Sequence, residues 1–226
     1  MTLLTVLLLQ ADTALGAVAA APAPVEKISM LNLLMEGGAL MIPLLLCSCI
    51  MVYVFVERLM AIRKASVVDA TLVSRIQQAL DANNIQAAIA ACKSSNTPIA
   101  RVLEKGVNRM GKPLEYVEKS MENTGRLEVY QLEKNVSVLS TIAGIAPIFG
   151  FLGTIAGMII LFFNVQHQGF SLETIAGGIY TKMVTSAVGL IIGLLAYVGY
   201  AYLNAQINKT VNRIESASAE FLDNIQ

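Results

Sequence analysis

The chain has 226 residues, of which 55% are hydrophobic and only 14% are charged, and its mean hydropathy is +0.63. Its 16 basic and 16 acidic residues balance to a net charge of zero, which excludes the basic surface expected of a nucleic-acid-binding protein. Long apolar stretches in such a chain indicate helices that span a bilayer, because lipid offers no water to satisfy a free backbone.

The first part of the chain, residues 1–37, is predicted to be an N-terminal periplasmic or interfacial segment. Its short apolar run, residues 3–9, is preceded by no basic residue, although a secretory signal needs a basic start. We therefore interpret the segment as retained and lying on the outer face of the membrane that the spans cross, with a cleaved signal as the alternative.

Three spans follow in chain order, and all are predicted to be helical. They are separated by one large loop that is expected to fold as a cytoplasmic helical domain and by one short periplasmic loop. The spans are residues 38–57, 138–163 and 174–203; the helical domain is 58–137, the short loop is 164–173, and a cytoplasmic C-terminal helix is 204–226.

The distribution of basic residues predicts the orientation of the spans. Only Lys27 precedes the first span, about twelve Lys and Arg lie between the first and second spans, and the short loop after the second has none. The positive-inside rule then places the N-terminus in the periplasm and both the large loop and the C-terminus in the cytoplasm.

The large loop has helical spacing with two breaks, at Asn83–Asn84 and around Gly111 and Pro113. Thr97 followed by Pro98 is typical of a helix N-cap and first helical position. From Pro113 onward, charged residues at helical spacing run into the second span. They predict one long helix that leaves the membrane, kinked at Pro147. We find no strand pattern, so the fold class is all-α.

Polar side chains inside the spans are functional candidates, because placing them in lipid is costly. Apart from Glu57, the last residue of the first span, the three spans contain no Asp or Glu, and Lys182 is the only strongly ionisable side chain in their interior. Small and polar residues share one face of the second span, where they are Gly150, Gly153, Thr154 and Gly157. They also share one face of the third span, where they are Gly178, Lys182, Thr185, Ser186, Gly189 and Gly193. Spacing alone favours helix packing over the lining of a polar passage.

Two interpretations of Lys182 stand equal on the sequence. Its side chain can extend toward the headgroups, where Glu173 is an available partner, or it can be a functional charge that faces the protein interior. The sequence contains no serine–histidine pairing, zinc motif or phosphate-binding loop in a suitable context, and its three cysteines have no metal-site spacing. We therefore expect no enzymatic activity, no metal and no cofactor.

The string IAGIAPIFGFLGTIAGMIILF, residues 142–162, resembles the second transmembrane helix of the ExbB, TolQ and MotA family of proton-channel subunits. The similarity lies in Ala146–Pro147, Gly150, Gly153–Thr154 and Gly157–Met158. The third span and the residues FVERLMAIRKA after the first span also resemble the family, ExbB above all, and the similarity extends over about residues 30–215.

This resemblance implies a homo-oligomer, a pentamer in the family, whose second and third helices line a central pore. The pore would hold a single-span ExbD-like partner that carries the membrane aspartate, and the assembly would drive a TonB-like protein in the inner membrane. Thr154 matches the pore threonine of the second helix, and Ser186 falls where ExbB has a pore threonine. Thr181 stands where ExbB has a glutamate, and Thr185 and Lys182 complete the expected proton pathway.

The residues expected to pack the spans against each other are Gly150, Gly153, Gly157, Gly189, Gly193 and Pro147.

Two alternatives to an ExbB-like motor subunit stay open on the sequence. One is a TolQ-like subunit that serves envelope maintenance, and the other is a membrane scaffold that conducts no ions.

Overall fold

The computed structural model describes residues 40–66, 71–169 and 172–225, without the side chains at 168, 173 and 174. The chain divides into Met1–Glu36 and Gly37–Gln226, and every described residue belongs to the second unit. The N-terminal segment predicted over residues 1–37 therefore lies outside the described residues. Within the described ranges all regular structure is α-helical: α1 (Met41–Ala65), α2 (Leu72–Asp81), α3 (Ile85–Ser94), α4 (Pro98–Val107), α5 (Leu114–Glu133), α6 (Val136–Gln168) and α7 (Leu172–Asn224).

Three stretches of helix are long and apolar enough to cross a membrane: Met41–Ala65, Leu114–His167 and Ile175–Asn224. The prediction of an all-α protein with three spans is confirmed. The last turn of α1 contains Arg63 and Lys64, whose positive charges suit the negative end of a helix dipole.

The predicted continuous helix from Pro113 into the second span is interrupted, and that prediction is wrong at one point. α5 ends at Glu133, Lys134 is extended with ψ 132°, and Asn135 takes the left-handed conformation with φ 64° before α6 begins. Asparagine is among the few residues that adopt this conformation at low cost. Arg58 of α1 donates a hydrogen bond to the Gln131 carbonyl at 3.4 Å, close to the interruption.

α7 joins the predicted third span and the predicted C-terminal helix into one element of 53 residues. At 1.5 Å per residue this helix is about 80 Å long, far more than the hydrocarbon thickness of a bilayer. The predicted limit of the third span at residue 203 therefore falls inside a continuous helix, and the expectation of long helices is confirmed.

The α2–α5 region packs around the last turns of α7 and forms an apolar core of its own. Leu103, Val117 and Met121 are among its fully buried side chains. The predicted helix breaks are confirmed: Asn84 accepts from the Ala87 amide at 3.0 Å, and Gly111 has φ +86°. The predicted cap is confirmed as well, because the Thr97 hydroxyl accepts from the Ala100 amide at 3.3 Å.

An ion pair joins α4 and α5 inside this region. Arg101 donates to both carboxylate oxygens of Glu128, from Nε at 2.7 Å and from Nη2 at 2.5 Å, and it also donates to Asn96 Oδ1 at 2.9 Å. The hydrogen bond to Glu128 raises the pKa of the Arg101 guanidinium. Glu128 is 7% exposed, and its two hydrogen bonds to Arg101 offset the cost of removing the carboxylate from water.

In the membrane region α1 lies along one side of the α6–α7 pair. Its buried side chains pack against α6 and α7 in one cluster with Met41, Leu44 and Met51 of α1, Ile142 and Ala146 of α6, and Ile192 and Ala196 of α7. A second cluster continues this contact toward the end of α1 that carries Arg63 and Lys64. The opposite side of the α6–α7 pair is left free of α1.

Candidate functional site

The two longest membrane helices, α6 and α7, approach until their backbones touch. A Cβ atom added at Gly189 would lie 2.8 Å from the Ala146 carbonyl oxygen and 2.8 Å from the Gly150 Cα. Neither of those is a flexible side chain that could move away. Glycine at position 189 is therefore required for this crossing, and a Cβ at Gly150 would also be crowded, at 3.1 Å from the Ser186 carbonyl oxygen.

Further contacts run in both directions from this crossing. Toward one end, the Pro147 ring covers Gly193, and a Cβ there would lie 2.6 Å from Pro147 Cγ. Toward the other end, a Cβ added at Gly153 would lie 3.0 Å from the Thr185 methyl group, and Gly157 lies beneath the side chain of Lys182. Residue numbers rise along α6 as they fall along α7, so the helices are antiparallel and these small residues lie in their mutual contact.

Thr154 and Ser186 lie on the side of this pair that α1 leaves free. At 100° per residue, Thr154 points about 120° away from Ile142, and Ser186 about 120° away from Ile192, the two residues that meet α1. Both side chains are half-buried. The structure thus places on the same side of the helix pair the two residues that the resemblance matches to pore threonines.

The two hydroxyls differ in their hydrogen bonding. Thr154 Oγ1 donates to the Phe151 carbonyl at 2.7 Å, which leaves its lone pairs able to accept. Within the described part of the chain the Ser186 hydroxyl has no partner. Each hydroxyl therefore keeps capacity for a water molecule.

Thr185 and Thr181 do not join them. Thr185 is fully buried at 0% exposure between Gly153 and its own helix, and its hydroxyl donates to the Thr181 carbonyl at 3.4 Å. Thr181 points within about 20° of the direction of Ile192, toward the α1 side, and its hydroxyl donates to the Gly177 carbonyl at 3.0 Å. In the single chain these two threonines serve helix packing and internal hydrogen bonds.

Lys182 lies on the same face of α7 as Ser186, one turn away. Its Cγ, Cδ and Cε atoms cover Gly157 so closely that a Cβ there would overlap them. The residue is half-buried. Among the described residues, the salt bridges involve other side chains and none reaches Lys182.

Two polar residues that the sequence analysis did not select extend this side of the pair. Ser140 of α6 is exposed and lies 14 residues before Thr154, and Asn204 of α7 is half-buried and lies 18 residues after Ser186. Both spacings are close to whole numbers of helical turns, four and five respectively. Extending the periodicity beyond the small-residue faces would have found them.

In the described ranges, no three His, Cys, Asp or Glu side chains are arranged to hold a metal ion. What the arrangement offers chemically is a row of hydroxyl, amide and ammonium groups on an otherwise apolar helix pair. Such groups can hold water by donating and accepting hydrogen bonds.

Comparison with known proteins places this helix pair in a recognised context. Residues 94–216, which include α4, α5, α6 and most of α7, match the model of the MotA/TolQ/ExbB proton channel family. This match covers more than half of the chain.

Individual relatives agree with that match. The biopolymer transport protein exbB1 of Vibrio cholerae is 26% identical over 195 residues, which are 83% of this chain and 84% of that protein. An ExbB homolog from Methanothermobacter thermautotrophicus is 21% identical over 83% of this chain and 67% of its own length. The Tol-Pal system protein TolQ of Haemophilus influenzae is 30% identical over 42% of this chain and 41% of its own length.

Proposed function

Since the chain belongs to the MotA/TolQ/ExbB proton channel family, we propose that it is an ExbB-like subunit of a motor in the bacterial inner membrane that is driven by the proton gradient. Several copies, five by resemblance to the family, surround a central pore. A single-span ExbD-like protein lies inside the pore, and the assembly energises a TonB-like protein for nutrient import across the outer membrane. The N-terminus is periplasmic and the C-terminus is cytoplasmic.

The observation that carries this proposal is the shared position of Thr154 and Ser186. They lie on adjacent antiparallel helices, on the side of the pair opposite the α1 contact residues. When copies surround a pore with this side inward, α1 takes the outer position, where its apolar side chains suit lipid. Ile42, Leu45, Val52 and Tyr53 of α1 are each more than half exposed.

The sequence of the spans divides the proton chemistry between this chain and its partner. Hydroxyl groups pass protons through bound water but do not store a proton near neutral pH. The interior of the spans supplies hydroxyls and one lysine but no carboxylate, since Glu57 is the last residue of the first span. The proton-carrying carboxylate therefore belongs to the partner, and this chain is a non-enzymatic stator and hydrated lining.

The ExbB-like role is favoured over the TolQ-like role by the extent of the similarity. The ExbB relative from Vibrio cholerae covers 83% of this chain, whereas the TolQ relative from Haemophilus influenzae covers 42%. The TolQ relative has the higher identity, 30%, over its shorter match. In the TolQ-like alternative, the same mechanism would serve the maintenance of the cell envelope.

Purification of the full chain with the proteins encoded beside it tests the proposal. We expect a single-span protein with a membrane aspartate to copurify, and the complex in vesicles to conduct protons down a pH gradient. A TonB-like client favours the ExbB-like role, and a Tol-type client favours the alternative. A complex that forms but moves no protons would leave the chain as a scaffold and contradict the motor.

A further inference from the structure

Lys182 is held at a depth where its charge cannot easily reach a polar surface. Its stem lies across Gly157 of α6, and the next polar side chain toward that end of α6 is Asn164, seven residues or about 10 Å away. An extended lysine reaches only about 6 Å from its own Cα. Between these levels the surface of α6 is formed by exposed apolar side chains, Ile159, Ile160, Phe162 and Phe163.

The chain itself offers no carboxylate at this depth within its spans. No salt bridge in the described residues reaches Lys182, and the only Asp or Glu of the spans is Glu57, at the end of the first span that packs near Leu203, far from Lys182. A second copy of the chain has the same spans, so it cannot supply a carboxylate at this level either. An ammonium group in an apolar environment is costly unless it is paired.

The position of Lys182 shows where a partner charge would have to be. Lys182 shares a face of α7 with Ser186, and Gly157 beneath its stem is one turn from Thr154 on α6. The lysine therefore lies next to the pair of hydroxyls that we assign to the pore. Any counter-charge has to come from whatever occupies the pore.

We propose that Lys182 is the counter-charge for a membrane carboxylate on the single-span helix inside the pore, an inference that rests on the proposed function. The ammonium group selects a partner helix that carries Asp or Glu at this depth, and it holds that carboxylate within reach of Thr154 and Ser186. A helix without the carboxylate leaves the lysine unpaired and is rejected.

The test is a capture experiment with the single-span protein encoded beside this chain. Full-length chain carrying Lys182→Met, Lys182→Arg or no change is coexpressed with the tagged partner, and the amount of chain retained on it in mild detergent is measured. We expect about a tenfold loss of retention for Lys182→Met, because the partner's carboxylate is left unpaired, and near-normal retention for Lys182→Arg. Lys209→Met is the matched control, since Lys209 is an exposed lysine on the same helix and its change should have no effect.

A second arm separates a charge pair from loss of packing by the lysine stem. The partner's membrane aspartate is changed to asparagine and combined with each variant. Against this neutral partner, Lys182→Met should bind at least as well as the wild-type chain, because removing both charges is tolerated where removing one is not. Equal losses with the charged and the neutral partner would show a packing role and overturn the proposal.

Three further outcomes are distinct. Glu36→Gln and Glu173→Gln are each combined with Lys182→Met and measured in the same assay; if either cancels the effect of Lys182→Met, the counter-charge lies in this chain and the proposal is wrong. If the wild-type chain retains its partner and conducts protons while Lys182→Met does both equally well, this inference fails and the proposed function stands. If no single-span partner is captured by the wild-type chain, the proposed function fails, and this inference with it.

Discussion

Gly150 and Gly189 are the point at which α6 and α7 meet backbone to backbone, with only 2.8 Å between the Gly150 Cα and the place of a Cβ at Gly189. The contact fixes how the two helices cross, and thereby which side chains emerge on the side away from α1. Packing at this point and the placement of Thr154 and Ser186 are thus one structural feature.

Gly189→Leu should disrupt this crossing. The added side chain meets backbone atoms that cannot rotate away, so we expect a loss of about 3 kcal/mol or more in the stability of the membrane domain, at or above the upper end for overpacking. Gly177→Leu on the same helix is the control, because nothing lies within 4 Å of a Cβ at that position. Unfolding by a denaturing detergent measures both, and equal stability of the two variants would contradict the tight contact.

Loss of the Thr154 and Ser186 hydroxyls, which we propose to face the pore, should lower proton conduction while leaving assembly intact. Thr154→Val keeps the shape of the side chain, and Ser186→Ala is the smallest neutral change. We expect each to reduce proton flux in vesicles about tenfold, the effect of losing one hydrogen bond of about 1.4 kcal/mol in the conducting state.

Thr141→Val is the matched control for this pair of variants. Thr141 is on the same helix, is exposed, and donates to the Ser137 carbonyl at 3.0 Å, but it points about 140° away from Thr154. Its flux should remain at the wild-type level. Full activity in the Thr154→Val, Ser186→Ala double variant would return both residues to packing.

The Arg101–Glu128 ion pair should stabilise the α2–α5 region. Arg101→Met leaves the buried Glu128 carboxylate without its two hydrogen bonds, and we expect a loss of about 3 kcal/mol, the lower end for a broken buried pair because Arg101 is partly exposed. Hydrogen exchange in α4 and α5 would report this as faster opening. Arg126→Met breaks only the exposed pair with Glu122 and should cost about 0.5 kcal/mol or less, so similar effects of the two changes would argue against a buried pair.

Burial makes Cys92 a poor nucleophile. Removal from water, helped by the negative charge of Glu104, raises the pKa of its thiol to about 11, since both effects disfavour the thiolate. A thiol reagent at pH 8 should therefore leave Cys92 unmodified in the folded protein and modify it after unfolding. Rapid modification of folded protein at pH 8 would show that the α2–α5 region opens.

The same chemistry tests the orientation of the chain. In a variant with its native cysteines replaced by alanine, a cysteine at Gln168 should react with an impermeant reagent added outside the inner membrane, and one at Ser95 should not. The distribution of basic residues is the reason for this expectation. Reaction at Ser95 alone would reverse the topology.

Local chemistry was sufficient to predict several elements of this fold. Three apolar runs predicted the spans, and Thr97 with Pro98 predicted a helix start that the structure confirms. The break at Asn135 was missed because a single left-handed residue leaves the helical spacing of the flanking charges almost unchanged. The burial of Thr185 was missed because periodicity gives a direction on one helix but not the identity of the neighbouring helix.

The candidate site was predictable to a similar extent. The small-residue faces could be read from spacing, whereas the separation of Thr154 and Ser186 from Thr181 and Thr185 depends on where α1 packs. That packing is a tertiary choice among several apolar faces of similar character. The assignment of Thr154 and Ser186 to a pore stays a prediction that the flux measurements address.

Two of the connections between the membrane region and the α2–α5 region differ mechanically. One passes through the interruption at Lys134 and Asn135, while the other is α7, whose 53 residues continue without a break. A stiff rod of about 80 Å that tilts by about 5° displaces its far end by about 7 Å. Because α7 is unbroken, a tilt in the membrane region would be transmitted along it to the α2–α5 region, whereas the interruption before α6 breaks the rigid path through α5.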